Sequence, residues 1–248
     1  MPRGRWGWLS GHPDSLPAAG GDRKIIRGAA STVEAVTSHT DRVNTFRGAA
    51  PAGPSSADAQ SVGRGNGEAD GLARFQALAT TNSGHAATLG RLDGSVTREE
   101  ALAHAASIVE TVEVPVSADL ENDFAEDPDS VFVTVRSAVA IGLAGCSIED
   151  STGDPDAPLY DIEVASERVA AAARAAHVGS GLVLTARAEN FARGNPDLAD
   201  TIDRLQAYQE AGADVVYAPG LTNLDDIRRV HGARRPGREQ ADVALRAR

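Results

Sequence analysis

From Gly71 to Val230 the chain alternates two hydrophobic rhythms. Short runs rich in β-branched and small apolar residues, Phe75–Thr81, Pro115–Leu120, Ala144–Glu149, Leu182–Ala186 and Asp214–Ala218, predict five strands. The stretches between them, Thr97–Val112, Asp129–Ile141, Ile162–His177 and Leu198–Ala211, carry helical spacing, and a further helix begins near Asn223. Thr97 with Glu100 three positions on is a capping box. Gly142 and Gly212 stand where helix C-caps are expected. The strands are almost wholly apolar, as in a sheet covered on both faces, and parallel strands need crossover helices. Five consecutive βα units therefore predict a parallel α/β fold, either a closed barrel or an open doubly wound sheet. No GxGxxG follows the first strand, which weakens the dinucleotide-binding version of the open sheet.

The two ends follow neither rhythm. Residues 1–70 are rich in Gly, Ala, Ser and Pro and read as an irregular segment, with helical pattern only over Ile25–Val36 and Asp41–Arg47. Residues 231–248 read as an irregular, Arg-rich tail without a strand of apolar core pattern. The central block, 71–230, is then a parallel α/β domain with five clear βα units.

Composition narrows the function. The chain has 248 residues, enough for one barrel of about 250 residues. Its net charge of −11 is concentrated in residues 71–230, which hold 11 Lys+Arg against 26 Asp+Glu, a net of −15. That argues against nucleic acid as a partner. No apolar run reaches ~18 residues, so no membrane span is expected, and the start lacks the apolar core of a secretory signal. One cysteine, Cys146, excludes an internal disulfide and a multi-cysteine zinc site. A cytoplasmic protein is the simplest expectation. The only lysine is Lys24, outside the regular region, so a Schiff-base aldolase is excluded.

Barrel chemistry sits where strands end. Here those ends carry Asn82, Ser83 and Gly84; Asp119, Glu121 and Asn122; Glu149 and Asp150; Arg187, Glu189 and Asn190; then Pro219 and Gly220. Asp119, Glu121 and Glu149 are hard oxygen donors suited to Mg²⁺. Arg187 offers a cationic fork to a carboxylate or phosphonate, and the Ser83–Gly84 backbone offers N–H groups to an anionic oxygen. The bland alternatives are that Asp123 or Asp150 only caps a helix and that Arg187 only neutralises Glu149 or Glu189. Cys146 reads as a packing thiol, and His85 and His104 as unsupported ligands.

Five segments in order, ALATTNSGHAATLGRLDG (Ala77–Gly94), VPVSADLENDF (Val114–Phe124), AGCSIEDSTGDPDAPLYD (Ala144–Asp161), LTARAENFARG (Leu182–Gly194) and RLQAYQEAGADVVYAPGL (Arg204–Leu221), resemble the isocitrate lyase/phosphoenolpyruvate mutase family. The resemblance implies a TIM-type (β/α)8 barrel, incomplete here, that uses Mg²⁺ to make or break a C–C or P–C bond of a small 2-oxo carboxylate through an enolate. It implies that Asp119, Glu121 and Glu149 serve the metal. Ser83, Gly84, Arg187 and Glu189 would bind substrate, and Asp93, Arg187 and Glu149 would act at the reacting group. Relatives are commonly homo-oligomers. The loop ENDFAEDPDS lacks the family's Lys-Lys-Cys-Gly-His segment, which argues against isocitrate or 2-methylisocitrate as substrate. The family pattern also has glycine at positions 123 and 125. Two further readings stand beside this one: a catalytically inactive, truncated remnant, and an intact relative of metal-dependent aldolases. Gly48–Asp70 and His231–Arg248 carry the Arg, Gly, Ala and Pro excess that shifted reading frames would produce.

Overall fold

The computed structural model describes residues 39–47, 76–179, 181–233 and 242–244. Its elements are α1 (residues 39–47), β1 (Leu78–Ala79), α2 (Asn82–Thr88), α3 (Arg98–Val109), β2 (Val116–Asp119), α4 (Pro128–Ala140), β3 (Gly145–Glu149), α5 (Ile162–Ala176), β4 (Val183–Arg187), α6 (Leu198–Ala211), β5 (Val215–Tyr217), α7 (Leu224–Gly232) and β6 (Asp242–Ala244). The six strands form one sheet, all parallel, in the order β1-β2-β3-β4-β5-β6. A doubly wound sheet reverses its strand order at a switch point, and this one never does. Strands laid side by side in chain order are the arrangement of a TIM-type barrel.

Two short elements lie where no hydrophobic rhythm announces them. The stretch after the first strand is a short helix, α2, whose first turn contains Ser83 and Gly84. The tail does hold a strand: β6 pairs with β5 through Val215↔Asp242, Val216↔Val243 and Tyr217↔Ala244. Its three residues are too few to register as a hydrophobic run, so only pairing with β5 reveals them. The 230/231 boundary also falls inside α7. The Gly48–Asp70 segment, the Ile25–Val36 stretch and Lys24 lie outside the described residues.

Each strand divides its residues between two environments, because successive side chains point to opposite faces. Ala118, Cys146, Ile148, Leu184, Ala186 and Val216 are buried and join Val131, Val135, Val169, Leu205 and Tyr208 of the covering helices in one core. The intervening residues, Ser117, Asp119, Ser147, Glu149, Thr185 and Arg187, are half-buried and polar. The sequence thus folds with one greasy face under the helices and one polar face turned inward. Cys146 is fully buried, as a packing thiol should be.

Local signals set the helix limits. Thr97 and Glu100 form the reciprocal capping box of α3. Asp127 caps α4 ahead of Pro128, Asp197 caps α6, and Asn223 caps α7. Gly212 ends α6 at φ 111°, a left-handed turn that an L side chain rarely adopts. At Gly145 a Cβ would lie 2.8 Å from the Phe46 ring, so α1 approaches β3 only because the side chain is missing.

One ion pair sits at the end of the sheet remote from the polar strand ends. His177, just past α5, contacts Asp214 at 2.9 Å, and Asp214 also accepts from Leu184 N at 2.9 Å. The hydrogen bond to Asp214 raises the His177 pKa above its ordinary 6.5. A raised histidine stabilises the fold fully below about 6.5, and that contribution is lost as pH rises through the folded value. His177→Gln is therefore expected to lower stability to urea at pH 6 and to match the parent at pH 9. A pH-independent difference would remove the pair from the account.

Candidate active site

The polar inner face is built by register. Asp119 aligns with Ser147 across β2 and β3, Glu149 with Arg187 across β3 and β4, and Arg187 with Tyr217 across β4 and β5. These residues stand at the carboxyl ends of adjacent strands, so three chain-distant charges meet. Arg187 is their hub. Its guanidinium lies 2.7 Å from Glu189, 3.4 Å from Glu149 and 3.5 Å from Asp119, over the Tyr217 ring. Burial alone would lower its pKa, but Glu189, Asp119 and Glu149 outweigh that and raise it.

Asp119 is held as firmly. One oxygen accepts from Asn82 N at 3.3 Å, and the other from Glu121 N at 3.2 Å and Ser147 Oγ at 3.4 Å. The bond from Asn82 N brings the first turn of α2 against Asp119. Thr81 gives that turn no side-chain cap, and the first N–H groups of a helix, here including Ser83 and Gly84, have no intrahelical partner. Glu121 follows at φ 52°, and its Oε1 is buried without a hydrogen-bond partner. Burial, then the charges of Asp119 and Asp93, push the Glu121 carboxyl up to about 7. Burial likewise pushes Glu149 up to about 7, with Arg187 opposing and Glu189 and Asp119 adding to it. Glu189 is nearly inaccessible, and burial raises it too, against the pull of Arg187.

The structure thus brings together Asp119, Glu121, Glu149, Arg187 and Glu189. Asp93 stands apart on an exposed turn, where its carboxylate accepts from Gly94 N at 3.1 Å, near enough to act on Glu121 by charge alone. Asp119, Glu121 and Glu149 do not form a ready set of three direct metal ligands. Among the described residues no group of three or more His, Cys, Asp or Glu comes close enough for that. The reason is Arg187, whose Nη1 and Nη2 stand between the Asp119 and Glu149 carboxylates. The set still fits a cation that keeps most of its waters. It offers an orphaned buried oxygen on Glu121 and an excess of carboxylates over guanidinium groups.

Neither Asp123 nor Asp150 caps a helix. Asp150 is buried, its one oxygen accepting from Glu189 N at 2.8 Å and the other from Arg204 at 3.0 Å and the Tyr208 hydroxyl. Its own N–H donates to Arg187 O at 3.2 Å, so Asp150 grips the backbone of both Arg187 and Glu189. Asp123 is wholly buried at φ 57°, with neither carboxyl oxygen bonded. Burial raises its pKa well above the ordinary value. Arg168 of α5 holds the same loop through Asn122 O and Ala125 O. The rings of His85 and His104 stack with centroids 4.0 Å apart, and among the described residues no third His, Cys, Asp or Glu joins them as a metal-binding group.

The sequence reading missed Arg193. It projects from the turn after β4 and reaches Glu149 Oε1 at 3.3 Å, on the carboxylate edge opposite Arg187. The signal was available: a second arginine six positions beyond Arg187, in the same strand-end loop.

Residues 54–238 match the sequence model of the phosphoenolpyruvate phosphomutase family, a wider span than Gly71–Val230 at both ends. The chain is 31% identical over 160 residues to 2-methylisocitrate lyase of Escherichia coli K12, covering 61% of this chain and 53% of that protein. It therefore spans about half the length of such relatives. The crystal structure of a candidate lyase/mutase from Burkholderia cenocepacia J2315 superposes with a TM-score of 0.76 at 39% identity, covering 84% of this chain and 73% of that one. A phosphonopyruvate hydrolase in complex with oxalate and Mg²⁺ shares the fold, with a TM-score of 0.72 at 24% identity over 82% of this chain and 71% of that one.

Proposed function

This chain belongs to the phosphoenolpyruvate phosphomutase family, and from that premise we propose that it is a Mg²⁺-dependent lyase or mutase-type enzyme. Its reaction would make or break a C–C or P–C bond of a small 2-oxo carboxylate through an enolate. The observation that carries this is the convergence of Asp119, Glu149, Arg187 and Glu189 from three adjacent strand ends on one polar face. Asp119, Glu121 and Glu149 would hold the metal, largely through water. When bound, Mg²⁺ supplies positive charge to the substrate oxygens on which negative charge develops.

The chain's own residues do the rest. The Ser83 and Gly84 N–H groups, together with Arg187, bind the anionic end of the substrate. Glu189 fixes the plane of the Arg187 guanidinium through the 2.7 Å contact, and Asp150 fixes the backbone beneath it. Glu149 would act at the reacting group, where its carboxyl oxygens lie between Arg187 and Arg193. Asp93 acts from the exposed turn beside Glu121. A cytoplasmic setting agrees with the single, buried thiol and with the absence of any described helix long and apolar enough to cross a membrane.

The competing reading is an inactive remnant. It is favoured by Asp123, which places an unbonded buried carboxyl in the loop where the family pattern has glycine. A thermal melt of the full chain with Mg²⁺ and oxalate, a planar mimic of the pyruvate enolate, separates the two. A ligand that binds only the folded state at about 100 times its Kd adds about 2.7 kcal/mol, roughly 5–10 °C for a domain of this size. A rise of that order with both additives, exceeding either alone, is expected of the enzyme. Indifference to both would leave the remnant.

A further inference from the structure

The two arginines of the site are not equally available. Arg187 is shared among three carboxylates and is 22% exposed. Among the described residues Arg193 makes one ion pair, with Glu149 at 3.3 Å, and is 41% exposed, while its charge also acts on Glu121 and Glu189. A guanidinium carries five N–H donors. Each nitrogen of the Arg187 guanidinium faces an acid, whereas Arg193 gives one, Nη2, to Glu149 and is the more exposed of the two.

Arg193 is also presented on a fixed mount. Its N–H donates to Glu189 O at 2.8 Å, and Asn195 N closes the turn on Asn190 O at 2.8 Å. The Asn190 side-chain amide donates to Asp197 O at 3.1 Å, Asp200 Oδ2 at 3.1 Å and Thr201 Oγ1 at 2.7 Å, tying the turn to the start of α6. The cation is therefore held over Glu149 by backbone and α6 contacts.

Resting on the function proposed above, we infer that Arg193 is a specificity-determining residue that receives a second anionic group of the substrate at the outer edge of the site. Arg187 and the first turn of α2 take the inner carboxylate, and Arg193 takes a carboxylate or phosphonate at the far end. The acids of the site would repel an unpaired second anion, so a substrate with two charged ends needs such a cation. A substrate with one does not.

The test uses two unreactive probes of the same reach, malate and 2-hydroxybutyrate, which differ by a carboxylate in place of a methyl group. Binding to the full chain is measured by calorimetry at saturating Mg²⁺. The parent is expected to bind malate on the order of tenfold more tightly, the usual worth of one charge-assisted contact. Arg193→Gln should erase that preference while leaving 2-hydroxybutyrate affinity within about twofold, and Arg193→Lys should restore part of it. Arg187→Gln should weaken both probes. A malate preference that survives Arg193→Gln would overturn the assignment. So would a parent that binds both probes equally, which leaves the proposed function standing. A parent that binds neither would overturn the function and this inference together.

Discussion

Replacing Arg187 with alanine is expected to cost the fold about 3–5 kcal/mol at pH 8, as well as abolishing binding of the carboxylate ligand. The reason is the company Arg187 keeps. Glu189 is 3% exposed and lies 2.7 Å from the guanidinium, with Glu149 at 3.4 Å and Asp119 at 3.5 Å. Without Arg187 these carboxylates face one another with little solvent to screen them. Burial already raises Glu149 and Glu189, and loss of the cation raises them further. A raised carboxyl favours the fold below its unfolded value and loses that contribution as pH climbs through the folded one. The destabilisation should accordingly shrink between pH 8 and pH 5.5, and adding Glu189→Gln should recover part of it at pH 8. Urea unfolding of the single and double variants at both pH values checks this. An Arg187→Ala protein as stable as the parent at pH 8 would show that water screens the cluster.

The opposite sign is expected at Asp123. Its carboxyl is fully buried, both oxygens lack partners, and the backbone holds φ 57°. A buried polar group without a hydrogen bond costs about 1–3 kcal/mol, and a left-handed conformation costs an L residue up to about 1–2 kcal/mol more, less for Asp. Glycine removes both terms at an unfolded-state penalty of about 0.5–1 kcal/mol. Asp123→Gly should raise stability by about 1–3 kcal/mol and the melting temperature by several degrees. Asp123→Asn, which keeps the left-handed preference but still buries an amide, should gain less. A glycine variant that melts lower than the parent would mean that Asp123 has a partner in solution, and the remnant reading would lose its support.

Much of this fold was legible because local and tertiary demands agree. Parallel strands buried on both faces read as apolar runs, and Thr97, Asp127, Asp197 and Asn223 announce their helices through side chains that act within three residues. Where demands are non-local, the reading stopped. Residues 242–244 become a strand only by pairing with β5, and Asn82–Thr88, with Gly84 in its first turn, has little intrinsic helical preference. The site divides the same way. Residue types at the strand ends identified Asp119, Glu149, Arg187 and Glu189. No spacing rule could show that Asp150 meets Arg204, 54 residues away, or that Arg187 would contact Asp119 and Glu149 at once.

The order of the strands has a consequence for how the molecule is made. Each of β2 to β6 pairs with the strand that precedes it in the chain. Among the described strands, each of β2 to β6 therefore leaves the ribosome with its preceding neighbour already translated. At about 5–20 residues per second a βα unit takes seconds to emerge, while hairpins and helices settle in microseconds. The sheet can be laid down in the direction of synthesis, one unit on the last. A destabilising change in β2 should then delay every later step, while the same change in β5 spares what has already been built.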